Sequence, residues 1–307
     1  MIKADFLAYG PIGFQKMWLA KQGYEPQESL FNRIVEQCFK KELDLCAIVT
    51  EDDKIKPGFP EDRFGFLKNL AAGTRKYSVS EIGNSALKVS NAIGNQVILI
   101  DGQVVHAKEN GKLVKHLVLG SNGIQQGMSL KETVQYCESK GLPQFLMDVY
   151  ESSENRLSIS LFKEAAKRCD GVIGHSSTNC IDPGFAEFLK LVPGARKLAK
   201  YTSYANERDD VFSVTVNKPT ISVSRAHYIE SIGNSYTEIP NSYAQAILKS
   251  NSNISLLDSI REAIGSWSCK QHKEFENPMR LAKYAAQLHL FGTKPDRFKD
   301  EKSSYND

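Results

Sequence analysis

Short apolar runs alternate with helical patterns along most of this chain, and that alternation limits the folds open to it. The chain begins with Ile2-Lys3-Ala4-Asp5-Phe6-Leu7-Ala8-Tyr9, a strand-like run that meets a turn at Gly10-Pro11. Leu30, Ile34, Val35 and Cys38 then recur on one helical face, and Leu45 to Val49 is a second apolar run. Beyond Phe64 to Lys76 come short runs at 86–89, 97–100 and 104–107. The turn Glu109-Asn110-Gly111-Lys112 joins the last of them to Lys115–Gly120, and an Asn-Gly pair between apolar runs signals a hairpin. Ser129, with Glu132 three residues on, opens a helix by a capping-box pattern that ends near Gly141. Gln144 to Tyr150 reads as a strand, Ser158 to Arg168 as a helix, Gly171 to Gly174 as a strand and Phe185 to Val192 as a helix. Val211 to Val216 and Thr220 to Val223 read as strands. Strands separated by helices favour parallel βα units over a sandwich.

Length and composition narrow the class further. A chain of 307 residues can bury a full core without staples and suits one barrel or two modest domains. The net charge of +3 is small for that length, so charge alone implies no polyanion partner. Cys38, Cys46, Cys137, Cys169, Cys180 and Cys269 are scattered without a CxxC pair, which argues for reduced thiols in a cytoplasmic protein. No stretch approaches the ~20 apolar residues of a membrane span, and the start of the chain does not read as a signal peptide. A soluble, cytoplasmic protein with no membrane partner is the expectation.

The candidate chemistry lies near the ends of the expected strands. Asp5 is in the first, Thr50-Glu51-Asp52 follows the second, and Gly102-Gln103-Val104 lies in the β-rich middle. His116 sits in Lys115-His116-Leu117-Val118-Leu119-Gly120, Asp148 in Met147-Asp148-Val149, and His175 follows Asp170-Gly171-Val172-Ile173. The last strand runs into Ser224-Arg225-Ala226-His227, then Ile229-Glu230-Ser231-Ile232-Gly233-Asn234. In order and spacing, these segments resemble the motifs of the PHP family, the polymerase and histidinol phosphatase phosphoesterases, over roughly residues 1–240.

That resemblance implies a distorted (β/α)7-type, TIM-like barrel of PHP type, an α/β fold with a metal cluster at the strand ends. It also implies that much of the ligand set is replaced. Leu7 and Tyr9 stand where the family has two histidines, Val104 and Ile173 where it has acidic residues, and Arg225 where it has an aspartate. Asp5, Asp52, His116, Asp148 and His227 remain as vestigial metal candidates. Arg225, Glu51 and His175 are candidates for binding a ligand. An aliphatic side chain has no lone pair for a metal, and a guanidinium repels a divalent ion while attracting a phosphate or a carboxylate such as Glu51 or Asp52.

Two functions follow. One is a catalytically degenerate PHP-like protein, a binding or scaffolding module with an anion-accepting mouth and no cofactor. The other is a metal-dependent phosphoric ester hydrolase, a phosphoesterase or nuclease, with a rebuilt site using Mn, Mg or Zn. The expected domains are a barrel over 1–240, a helical extension over 241–295 and a polar tail over 296–307. Ile254, Leu256, Leu257, Ile260 and Ile264 form one apolar face of the extension, and Leu281, Tyr284, Ala285, Leu288 and Phe291 another. Those helices either cover the barrel or offer a surface to a protein partner. The basic run Arg196-Lys197-Leu198-Ala199-Lys200-Tyr201 reads as a solvated face, and nucleic acid is not implied.

Overall fold

The computed structural model describes residues 1–9, 27–51, 63–147, 159–177, 187, 190–191, 217–226, 229–277 and 279–280. The elements expected at 185–192 and 211–216 lie largely or wholly outside those residues, as do the apolar positions from Leu281 onward. Two compact units divide the chain at Phe275/Glu276, and the first holds the sheet. In the second, Glu276 accepts from the Asn277 backbone and pairs with Arg280 at 3.2 Å.

The first unit runs β1 (Ile2–Ala8), α1 (Gln27–Lys40), β2 (Leu45–Glu51), α2 (Arg63–Ala71), β3 (Ser78–Ile82), β4 (Ala86–Ser90), β5 (Gln96–Glu109) and β6 (Lys112–Leu119). It continues with α3 (Leu130–Lys140), β7 (Gln144–Leu146), α4 (Ile159–Lys167), β8 (Gly171–Ser176), β9 (Thr220–Val223), β10 (Tyr236–Ile239), α5 (Asn241–Leu248), α6 (Asn253–Gly265) and β11 (Lys270–His272). Within one sheet β1, β2, β5, β6, β7, β8 and β9 are neighbours in that order. Ala8 bridges Ala226 in parallel, and Tyr9 N–H donates to the Ala226 carbonyl at 3.1 Å. The last stave thereby returns to the first, and the sheet is a nearly closed barrel.

One stave runs against the rest. β1, β2 and β5 are parallel, as are β7, β8 and β9, but β6 is antiparallel to both of its neighbours. The cause is the two-residue turn at Asn110-Gly111, with φ of 50° and 74°, which reverses the chain instead of crossing over it. The hairpin signal thus overrides the expectation of uniformly parallel units in this stretch.

Three apolar layers follow from strand alternation. Leu45, Ala47 and Val49 of β2 join Phe6, Ile98, Ile100, Leu117, Phe145, Ile221 and Val223 in the largest cluster. Cys46 and Ile48 pack instead against α1 and α2, through Ile34, Val35 and Leu67. Leu146 and Val172 pack on α3 and α4, through Val134 and Ala165. Ala244 and Ile247 of α5 and Leu256, Leu257, Ile260 and Ile264 of α6 belong to the largest cluster. Ile254, expected on that face, is exposed. The Ser129–Glu132 capping box forms as read, and Gly141 caps α3 in the left-handed region.

In β1 a bulge between Asp5 and Ala8 breaks the register with β2. Phe6, Leu7 and Tyr9 all join the largest cluster, while Ala8 turns to the α1 side. Asp5 is fully buried and accepts from Ser224 N (3.0 Å), Gly233 N (3.0 Å), Leu7 N (3.3 Å) and the Ser224 hydroxyl. One carboxylate therefore ties the first strand to the segment that follows the last. Gly233 can approach because it has φ of 75° and no Cβ, which would lie 2.9 Å from Lys41 Cβ.

The four donors favour ionised Asp5, but burial outweighs them and pushes its pKa from 3.8 up to about 6. A folded pKa above the unfolded one gives stability that is complete below pH 3.8 and lost as pH rises through about 6. Relative to Asp5→Asn, the wild type is therefore expected to lose roughly 2–3 kcal/mol between pH 4 and pH 7. Urea unfolding of both proteins across that range checks this, and a difference independent of pH would contradict it.

Candidate functional site at the barrel mouth

The strand ends that meet near the β1–β9 closure carry a cluster of charge. Glu51 ends β2, on the same alternation as the interior residues Leu45, Ala47 and Val49. His106 lies two residues past interior Val104 on β5, and Lys115 two residues before interior Leu117 on β6. The hairpin pairs His106 directly with Lys115. Both side chains reach one oxygen: His106 Nε2 donates to Glu51 Oε1 at 3.1 Å, and Lys115 Nζ lies 3.2 Å from the same atom. The three side chains are mostly shielded, with exposures of 10%, 19% and 22% for Glu51, His106 and Lys115.

Arg225 adds a second permanent positive charge. Its guanidinium sits 5.9 Å from the centroid of the Tyr9 ring, within cation–π range, and its charge acts on Glu51. The residue is buried and has φ of 51°, a left-handed conformation that costs an arginine ~1–2 kcal/mol. Such strain persists where surrounding contacts hold it. Burial alone would raise the Glu51 pKa, yet the His106 hydrogen bond and the charges of Lys115 and Arg225 hold it well below the usual carboxylate range.

The structure thus sets Glu51 against two residues outside the motif positions, His106 and Lys115, and within the electrostatic reach of Arg225. Asp5 is engaged by the donors of the barrel closure. His116, adjacent to Lys115, takes the opposite face by strand alternation and packs with its Nδ1 4.0 Å from Cys169 Sγ. Burial lowers its pKa to about 4, so it is neutral at pH 7. His175 Nε2 donates to the Glu274 carbonyl at 3.1 Å, and its ring meets Phe275 edge-on at 5.8 Å. Asp52, Asp148 and His227 lie outside the described residues. Following the register outward from the Asn110-Gly111 turn would have placed His106 opposite Lys115, so a sequence signal for that pair existed.

Among the described residues, no group of three or more histidine, cysteine, aspartate or glutamate side chains is placed to hold a metal ion. The described part of the mouth does not fit one chemically. Glu51 is the carboxylate there, one of its two oxygens is shared by an ammonium and an imidazole, and neither Lys115 nor Arg225 has a lone pair to offer. Leu7 and Tyr9 complete the β1 end.

No protein-family model and no curated protein matches the sequence. Solved structures do. PsfC from Pseudomonas syringae is similar at a TM-score of 0.50 and 11% identity, over 86% of this chain and 91% of that one. A two-domain protein from Bacteroides vulgatus containing a predicted PHP-like metal-dependent phosphoesterase gives 0.47 and 11%, over 89% of this chain and 65% of that one. The lesion-specific endonuclease PfuEndoQ from Pyrococcus furiosus gives 0.44 and 13%, over 88% and 57%. At such identity the first is a likeness of fold alone, and the other two are looser still. No helix among the described residues is long and apolar enough to cross a membrane.

Removing the Glu51 charge should expose the cost of its neighbours. Glu51→Gln removes the carboxylate paired with Lys115 and the negative charge on which Arg225 acts, and about 2 kcal/mol of stability should be lost at pH 7. The sign with pH is opposite to that of Asp5. A depressed pKa gives stability that is present above the unfolded value of 4.5 and lost as pH falls below it. The gap between wild type and Glu51→Gln should therefore close on acidification below pH 4.5, as read by thermal unfolding. A gap that widens in acid would contradict the assignment.

Proposed function

We propose that the chain is a degenerate barrel of PHP type in which fixed cations stand where a metal cluster would, and that it works as a binding or scaffolding module accepting an anionic, phosphate-bearing group at its mouth. The observation that carries this reading is a shielded carboxylate, Glu51, with Lys115 at 3.2 Å and within the field of the Arg225 charge. Both types of head group suit phosphate oxygens. Low exposure strengthens such contacts by limiting the screening they suffer. Arg225 also gains from the Tyr9 ring beneath it, which orients the guanidinium before a ligand arrives. Glu51 then acts as the resident counter-ion, sharing its cations with the incoming anion or yielding them to it.

Calorimetric titration with phenyl phosphate and inorganic diphosphate, in buffer treated to remove metals, tests this. Saturable binding is expected, weakened at least about tenfold by Lys115→Gln or Arg225→Gln and weakened by added salt. Binding that requires added manganese, or phosphodiester hydrolysis that appears with manganese and is lost in Asp52→Ala or His227→Ala, would overturn the reading.

A further inference from the structure

A polar cavity lies at the far end of β9 from Arg225. It has a volume of about 360 Å³ and is lined by Asp170, Asn217, Lys218, Pro219, Arg261, Gly265 and Trp267. That size is within the range of small-ligand sites. Nothing in the mouth chemistry uses it.

Trp267 is the informative residue. It follows the C-cap of α6, Ser266, and its backbone N–H donates to the Ile264 carbonyl at 3.2 Å, a bond of the Schellman type. This position favours glycine because the backbone is left-handed, and here φ is 60°. The chain instead places its bulkiest side chain there and leaves it 53% exposed. Neither backbone preference nor burial accounts for an indole at this point, whereas a platform for a planar ring does. Two cations stand at the same cavity. Lys218 Nζ spends one proton on the Cys169 carbonyl at 2.8 Å, leaving two. Arg261 Nε reaches Asp170 at 3.4 Å and its Nη1 reaches Asp258 at 3.7 Å, leaving further N–H groups of the fork. Asp170 is already occupied by Arg261 and the Gln144 backbone N–H, so among the lining residues the unspent capacity is cationic.

We propose that this cavity binds a planar aromatic ring carrying an anionic group, of mononucleotide size, with the ring on Trp267 and the anion at Lys218 and Arg261. The ring contributes stacking, which every base can supply, and the anion contributes charge-assisted hydrogen bonds. The inference does not depend on the proposed function of the mouth.

The chain has two tryptophans, so a Trp18→Phe protein reports Trp267 emission alone. Titration with AMP should quench that emission saturably, while adenosine and inorganic phosphate should each bind at least tenfold more weakly. Lys218→Gln should lose the AMP response by tenfold or more, and Lys131→Gln, the same charge change at an exposed site in the first turn of α3, should keep it. In the otherwise native chain, Trp267→Gly should abolish AMP binding by calorimetry with the melting temperature unchanged or raised, because glycine suits the left-handed backbone. Unchanged emission with AMP, adenosine binding as tightly as AMP, full binding by Lys218→Gln, or full binding by Trp267→Gly would each overturn the proposal.

Discussion

Closure of the barrel depends on a carboxylate that, among the described residues, has only neutral donors around it. Asp5 gathers donors from its own strand, from Ser224 just past β9 and from Gly233. Among the described residues the first and last staves pair through a short parallel bridge at Ala8 and Ala226, so backbone pairing there is slight. Asp5 supplies the missing connection from the side facing α1. Its position in turn sets the bulge that sends Leu7 and Tyr9 inward and fixes where Arg225 begins. The mouth inherits its geometry from this junction.

Two shielded carboxylates in one barrel therefore behave in opposite ways, and the difference is one of neighbours. Asp5 meets neutral N–H and O–H groups, and burial prevails. Glu51 meets an ammonium and an imidazole and feels the charge of a guanidinium, and these prevail. Hydrogen bonds from neutral donors offset only part of the desolvation of a charge, whereas opposite charges at close range can exceed it. The same contrast separates a structural clasp from a site with binding capacity.

Much of the frame was legible in the sequence. Strand runs, the α3 capping box and the Asn110-Gly111 turn all carry local chemistry that fixes backbone geometry by itself. The bulge in β1 was not legible, because it answers to Ser224 and Gly233, more than two hundred residues away in sequence. Comparing single motif positions drew attention to His116 as a match, although strand alternation gives the mouth to its neighbour Lys115. β11, only three polar residues long, has no apolar period to read and exists through its pairing with β10.

The central claim is that Glu51 is held ionised by protein cations and not by a metal. The most direct measurement is the pKa of the Glu51 carboxyl by carbon NMR, assigned through Glu51→Gln, with and without millimolar magnesium. The account expects a titration well below the ordinary 4.5, unchanged by magnesium and moved upward by Lys115→Gln. A titration at or above 4.5 without the metal, or a carboxyl signal that shifts when magnesium is added, would contradict it.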